Sequence, residues 1–127
     1  MEKAKAIKYQ IIKLQVVNKG STVNINTNSD KLYKRITGII ITAPWIMPTV
    51  NWSTIALQIN DKEIFPDDFE ARLITFEQMV PANERFFLLD EPADGSTIKG
   101  RYTDIGEFAL EYPHTVRIYL RLEEKQV

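Results

Sequence analysis

The chain contains no cysteine, which excludes disulfides, thiolate nucleophiles and cysteine-ligated zinc outright. It contains one histidine, His114. A histidine-rich metal centre needs several ligands converging on one ion, and a Ser-His-Asp triad would have to use this single imidazole. Placed between Pro113 and Thr115 where a strand begins, His114 reads as a surface or turn residue. The five glycines are scattered, with no G-x-x-x-x-G-K or G-x-G-x-x-G cradle for phosphate and no G-x-S-x-G elbow for a nucleophile. A basic excess is missing as well: 16 Lys+Arg against 17 Asp+Glu leave a formal net charge of −1. Nucleic-acid binders draw most of their affinity from neutralising phosphates, so no nucleic-acid partner is expected. Long apolar runs are absent too. Ile39-Ile40-Ile41 stops at Thr42, far short of the ~20 residues of a membrane helix. Met1-Glu2-Lys3-Ala4-Lys5 opens into a charged, alternating segment rather than the apolar stretch of a secretory signal. The expectation is a cytoplasmic product without membrane insertion.

What remains is a chain of ordinary globular make-up, 44% hydrophobic and 26% charged, expected to form one domain over residues 1–127. Its dominant period is two, the mark of half-buried strands. In Thr115–Leu122, Val116, Ile118, Leu120 and Leu122 face one way while Thr115, Arg117, Tyr119 and Arg121 face the other. Ser53–Asn60 repeats the pattern with Ile55, Leu57 and Ile59 inward. Ala6–Val17 changes phase: Ile7, Tyr9 and Ile11 keep one parity, Ile12, Leu14 and Val16 the opposite. A slip of one residue exchanges faces unless a bulge absorbs it, so a bulge or bend is predicted near Ile11-Ile12, or a passage between sheets. Leu32–Thr42 is a further β-prone run in which Gly38 marks a bend or a close backbone approach. Val23-Asn24-Ile25 fits a short edge strand, and Asn60-Asp61-Lys62 turns a hairpin into Ile64-Phe65. Pro66-Asp67-Asp68 should stop that second arm. Asp67 or Asp68 could cap a one- or two-turn helix from Phe69, but Phe69, Ala71, Leu73 and Thr75 also alternate and Ala71–Phe76 reads rather as strand. Phe86–Leu89 and Thr97–Thr103 follow, separated by the turn Glu91-Pro92-Ala93-Asp94-Gly95. Turns recur every 8–15 residues or so, without a sustained helical period. The fold predicted is all-β, an antiparallel, jelly-roll-like β-sandwich of about eight strands.

Carboxylates cluster at Asp67-Asp68-Glu70 and Asp90-Glu91-Asp94. Glycoside hydrolysis would need two of them held ~5–10 Å apart, and Asp90–Asp94 is where a Ca²⁺ ion would be sought, although the full D-x-D-x-D-G pattern is lacking. Both clusters coincide with turns, where Asp is favoured for its own backbone hydrogen bonds. No cofactor is therefore expected, and no catalysis. Arg117, Tyr119 and Arg121 share one strand face, suited either to stacking and gripping an acidic partner or to ordinary cross-strand pairing.

The segment Thr42–Trp52 carries both tryptophans and two prolines between two strands. Connecting loops run over the surface, so this much apolar bulk needs a cover. Three readings stay open: a lid over one end of the sandwich, a contact with a neighbouring subunit, or an aromatic platform for a sugar or base. As a contact, the residues that carry it are Trp45, Ile46, Met47, Val50 and Trp52, since Trp and Met are enriched in interface cores.

Lys31-Leu32-Tyr33-Lys34-Arg35-Ile36-Thr37-Gly38-Ile39 and Leu57-Gln58-Ile59-Asn60-Asp61-Lys62-Glu63-Ile64-Phe65-Pro66, set in this strand pattern, resemble the small single-jelly-roll virion proteins of tailless bacteriophages. The resemblance spans most of the chain as architecture and rests on no diagnostic motif. It implies a capsid component, at a vertex (penton) or as a minor shell protein, that assembles with itself and with other structural proteins. Its place would be the virion, assembled in the host cytoplasm. The competing expectation is a carbohydrate- or ligand-binding sandwich module without catalysis.

Overall fold

The computed structural model describes residues 6–42, 53–75, 86–105 and 112–124. In chain order the strands are β1 (Ile7–Val16), β2 (Thr22–Asn28), β3 (Arg35–Thr42), β4 (Thr54–Ile59), β5 (Lys62–Glu70), β6 (Phe87–Pro92), β7 (Thr97–Thr103) and β8 (His114–Glu123), with a 3₁₀ turn at Ala71–Ile74 between β5 and β6. They form two four-stranded sheets, the first ordered β1-β8-β3-β6 and the second β2-β7-β4-β5. Every pairing is antiparallel. The molecule is thus an all-β sandwich. The pairs β1·β8, β2·β7, β3·β6 and β4·β5 are those of one long hairpin folded over on itself, compatible with jelly-roll wrapping.

Alternation accounts for the core. Each strand turns every second side chain inward, so Ile12, Leu14 and Val16 of β1 meet Val116, Ile118, Leu120 and Leu122 of β8 on the inner face of the first sheet. Ile25, Ile55, Leu57, Ile59 and Ile98 face them from the second. β2, read as a short edge strand, is the edge of the second sheet. The Asn60-Asp61 hairpin holds both residues at positive φ, 51° and 66°, the geometry of a type I′ connection. In the turn after β6, Asp94 and Gly95 are also left-handed, with φ of 61° and 79°.

Several expectations are corrected. β1 and β8 pair in unbroken register from Ile7↔Glu123 to Val16↔His114, so no bulge occurs at Ile11-Ile12 and β1 stays in one sheet. The phase change is genuine: the first half of β1 simply carries apolar residues on its outer face. Pro66-Asp67-Asp68 does not stop β5, which runs on to Glu70 with irregular register against β4 and Asp68 at φ 67°. As an edge strand, β5 tolerates the missing N–H of Pro66. Ala71–Ile74 is 3₁₀ rather than strand. Ala71 and Ile74 are both buried while Leu73 is exposed, a three-residue spacing that suits the 3₁₀ repeat rather than a period of two. Leu32, expected in a strand, precedes β3 in a turn and is 81% exposed.

Gly38 does mark a bend and a close approach. The register of β3 shifts between Ile36 and Gly38 against both neighbours, and a Cβ at Gly38 would sit 2.9 Å from that of Phe86.

Candidate functional site: the outer face of the first sheet

All three carboxylates of Asp90-Glu91-Asp94 face cations, as does Asp67 of the other acidic cluster. Asp90 receives Arg35, Glu91 receives Lys62, and Asp94 lies 3.1 Å from the Lys34 ammonium. Asp67 is held by Arg101. Among the described residues, no group of three or more His, Asp or Glu side chains is arranged to hold a metal ion, and no helix is long and apolar enough to cross a membrane.

His114 is not at the surface. It is the first residue of β8, 9% exposed, with its ring 4.9 Å from that of Tyr112. It belongs to a buried polar end of the sandwich. There Tyr112 Oη donates to Asp104 Oδ2 at 2.6 Å, Gly20 N–H donates to the same oxygen at 3.0 Å, and Ile105 N–H donates to Ser53 Oγ. Ser53 is fully buried and Asp104 is 2% exposed; the hydroxyl accepts from a backbone amide, and the carboxylate from a backbone amide and a phenol. Burial among these groups pushes the Tyr102 phenol up to about 12.

The opposite end is tied by serine and asparagine. Ser96 Oγ donates to the carbonyls of the Pro92–Ala93 turn, Asn60 Nδ2 donates to Ser96 Oγ, and Ser29 Oγ accepts from Ser96 N–H. Three loops are locked together there.

The two outer faces differ in kind. Opposed residues in paired strands share a face. On the second sheet this gives the rows Thr22–Thr103–Thr54, Asn24–Arg101–Ala56 and Asn26–Lys99–Gln58. Apart from Ala56, these rows are polar. The face holds a depression of about 230 Å³ edged by Gln58, Glu63, Asp67 and Arg101, with no exposed aromatic ring among its walls.

On the first sheet the rows are Ile11–Tyr119–Ile40 and Tyr9–Arg121–Gly38–Leu88, with Ile7–Glu123–Arg35 beside them. Ile7, Tyr9 and Ile11 are 43–53% exposed and Leu88 is 78% exposed. Gly38 leaves a hollow in the middle of this face. Phe86 fills it, and its ring stacks on that of Tyr9 with centroids 5.6 Å apart. Arg117, Tyr119 and Arg121 are half-buried here, so the row is a cross-strand-paired face rather than a freely solvated one. Arg121 Nε is buried without a hydrogen-bond partner, a position that costs desolvation of a charged group. Basic side chains, Lys13 and Arg117, flank the aliphatic and aromatic rows.

In the sequence this patch shows as the phase change in β1 and as the unbroken Ile39-Ile40-Ile41 run of β3, in which Ile40 falls on the outer parity. The residues expected to form an interface, Trp45, Ile46, Met47, Val50 and Trp52, lie outside the described residues. Comparison of the chain with protein-family models, curated proteins and solved structures gives no match.

Proposed function

We propose that this chain is a structural assembly protein, a virion capsid component of the vertex (penton) or minor-shell type, which acts through protein–protein interfaces and carries out no catalysis. The observation behind this reading is the contrast between the two outer faces. A solvated sheet face is ordinarily polar, as the Thr/Asn/Lys/Arg face of the second sheet is. The first sheet instead presents Ile7, Tyr9, Ile11 and Leu88 to solvent around the Tyr9–Phe86 stack. Clustered apolar exposure rimmed by polar residues marks protein-binding surfaces. Tyr and Arg, the side chains that most often anchor interfaces, stand in the middle of it as Tyr119 and Arg121.

The partner in this reading is first of all the chain itself, since most oligomers are symmetric assemblies of one subunit, and then other structural proteins of the same particle. Its location is the virion, assembled in the host cytoplasm. The Trp45–Trp52 loop would supply a second contact.

Native mass spectrometry and electron microscopy of the purified chain test the proposal. Closed rings or shell fragments of one repeating subunit are expected. A monomer at high concentration that binds a defined sugar on a glycan array would replace this reading with that of a ligand-binding module.

A further inference from the structure

We propose that two copies of the chain join along β1, edge to edge, so that their first sheets form one continuous eight-stranded sheet across a two-fold axis at Gln10. The inference rests on the reading of the chain as a self-assembling protein and names the contact it uses.

The argument begins with the ladder. Among the described residues, β1 is an edge strand, paired only with β8. Ala6 lies opposite Glu124 and its carbonyl accepts the Glu124 N–H at 3.2 Å. Hydrogen-bonded and non-hydrogen-bonded pairs alternate along an antiparallel ladder. The even-numbered residues of β1 therefore spend their backbone groups on β8. Ile7, Tyr9, Ile11, Lys13 and Gln15 aim their N–H and C=O groups at the free edge.

The second sheet does not take these groups. Where β1 passes β2 the contacts are made by side chains: the Gln10 amide donates to Asn28 C=O and accepts from Asp30 N–H, and Lys8 pairs with Asp30. The pairing with Lys8 holds the Asp30 carboxyl below its usual range. These contacts fix Lys8 and Gln10 inward and, among the described residues, leave the backbone edge open.

Natural edges are commonly blunted by proline, a bulge, short length or charge, lysine above all. β1 is ten residues long, lacks proline and is unbroken in register. Of its two lysines, Lys8 is engaged by Asp30, which leaves Lys13 as its one unengaged charge among the described residues.

Self-complementarity selects the register. With the axis at Gln10, Tyr9 of each copy lies opposite Ile11 of the other, an aromatic–β-branched pair made twice on the apolar outer face. Ile7 then meets Lys13, Lys8 meets Ile12, and no like charges are opposed. An axis at Lys8 would set that ammonium against its own copy. An axis at Ile11 would set Tyr9 against Lys13 and Ile7 against Gln15, and an axis at Tyr9 would shorten the overlap. A two-fold perpendicular to the sheet also brings the apolar stripes of both copies onto one face, enlarging the surface around Tyr9 and Phe86.

The test uses the full chain, with association measured by sedimentation equilibrium and folding by circular dichroism and thermal melting. Ile11→Pro removes an edge N–H without touching the bonds to β8, and should weaken association roughly tenfold or more with a native spectrum. Tyr9→Glu and Ile11→Lys should each weaken it several-fold, and the double variant, which sets Glu opposite Lys across the axis, should restore it. Because both positions are about half exposed, these charge variants keep the question answerable even if the proline variant fails to fold. A double variant that associates as poorly as the single ones overturns the proposal, as does a folded Ile11→Pro that associates like the parent. If Leu88→Asp disperses the assembly while Ile11→Pro does not, edge pairing falls and the assembly reading stands. A parent chain that stays monomeric overturns both.

Discussion

Gly100→Ala is expected to cost about 3–5 kcal/mol, enough to unfold a domain of ordinary stability under mild denaturant. Gly100 lies on β7 between Ile25 of β2 and Leu57 of β4. A Cβ at this position would fall 2.0 Å from the Ala56 carbonyl oxygen, 3.0 Å from its carbon and 3.1 Å from Leu57 Cα. All three are backbone atoms, which cannot rotate aside as a side chain can, so the substitution must push two central strands apart. The register of β4 against β5 shifts on both sides of Leu57, which places the close approach at the most irregular point of the second sheet. Urea unfolding followed by tryptophan fluorescence reads the effect. An unchanged midpoint would mean that β4 and β7 are not so closely packed.

The second large effect is expected from Ile118→Ala. β8 is central in the first sheet, and Ile118 lies directly between Ile12 of β1 and Ile41 of β3. The three form an isoleucine row across the inner face, with Ile118 and Ile41 fully buried. Deleting three carbons there removes their burial and leaves a void that neighbours on fixed strands fill only in part. The expected loss is about 2–5 kcal/mol. Chemical denaturation measures it as a lower midpoint at constant slope. A loss below about 1 kcal/mol would indicate that the two sheets collapse onto each other more freely than this packing implies.

The fold was legible where one parity of a strand is apolar and the other polar, as in Thr115–Leu122 and Ser53–Asn60, because alternation follows directly from the pleat. It was misread where a second physical cause imitates or masks alternation. In Ala6–Val17 two apolar parities were taken for a bulge, since a strand with a solvated face should not carry Ile7, Tyr9 and Ile11 on it. The strand is regular, and the anomaly lies in what the face is for. In Ala71–Phe76 the parity of Phe69, Ala71, Leu73 and Thr75 suggested a strand, yet burial of Ala71 and Ile74 follows the three-residue repeat of a 3₁₀ turn. His114 was placed outside because a lone histidine beside a proline resembles a turn. Only the tertiary arrangement puts Tyr112 and the buried end of β8 around it.

The candidate surface was less legible than the fold. Its rows are assembled from β1, β8, β3 and β6, strands far apart in the chain, and which residues lie side by side depends on register that local patterning does not specify. Gly38 illustrates the point. From sequence it marks a bend or a close approach, but that the approaching group is Phe86, seated there against Tyr9, depends on a register no local pattern gives. The acidic clusters went the other way. The spacing of Asp90–Asp94 invited a calcium reading, which loses force once Arg35, Lys62 and Lys34 are seen to face Asp90, Glu91 and Asp94.

The central claim is that the apolar outer face of the first sheet is covered by protein when the chain does its work. Sedimentation velocity of the parent chain beside Leu88→Asp tests it most directly, because Leu88 is 78% exposed and its replacement should leave the fold intact. The account predicts a parent that sediments as an oligomer and a variant that sediments as a smaller species with the same melting temperature. Identical sedimentation of both as monomers, across a hundredfold range of concentration, would contradict it.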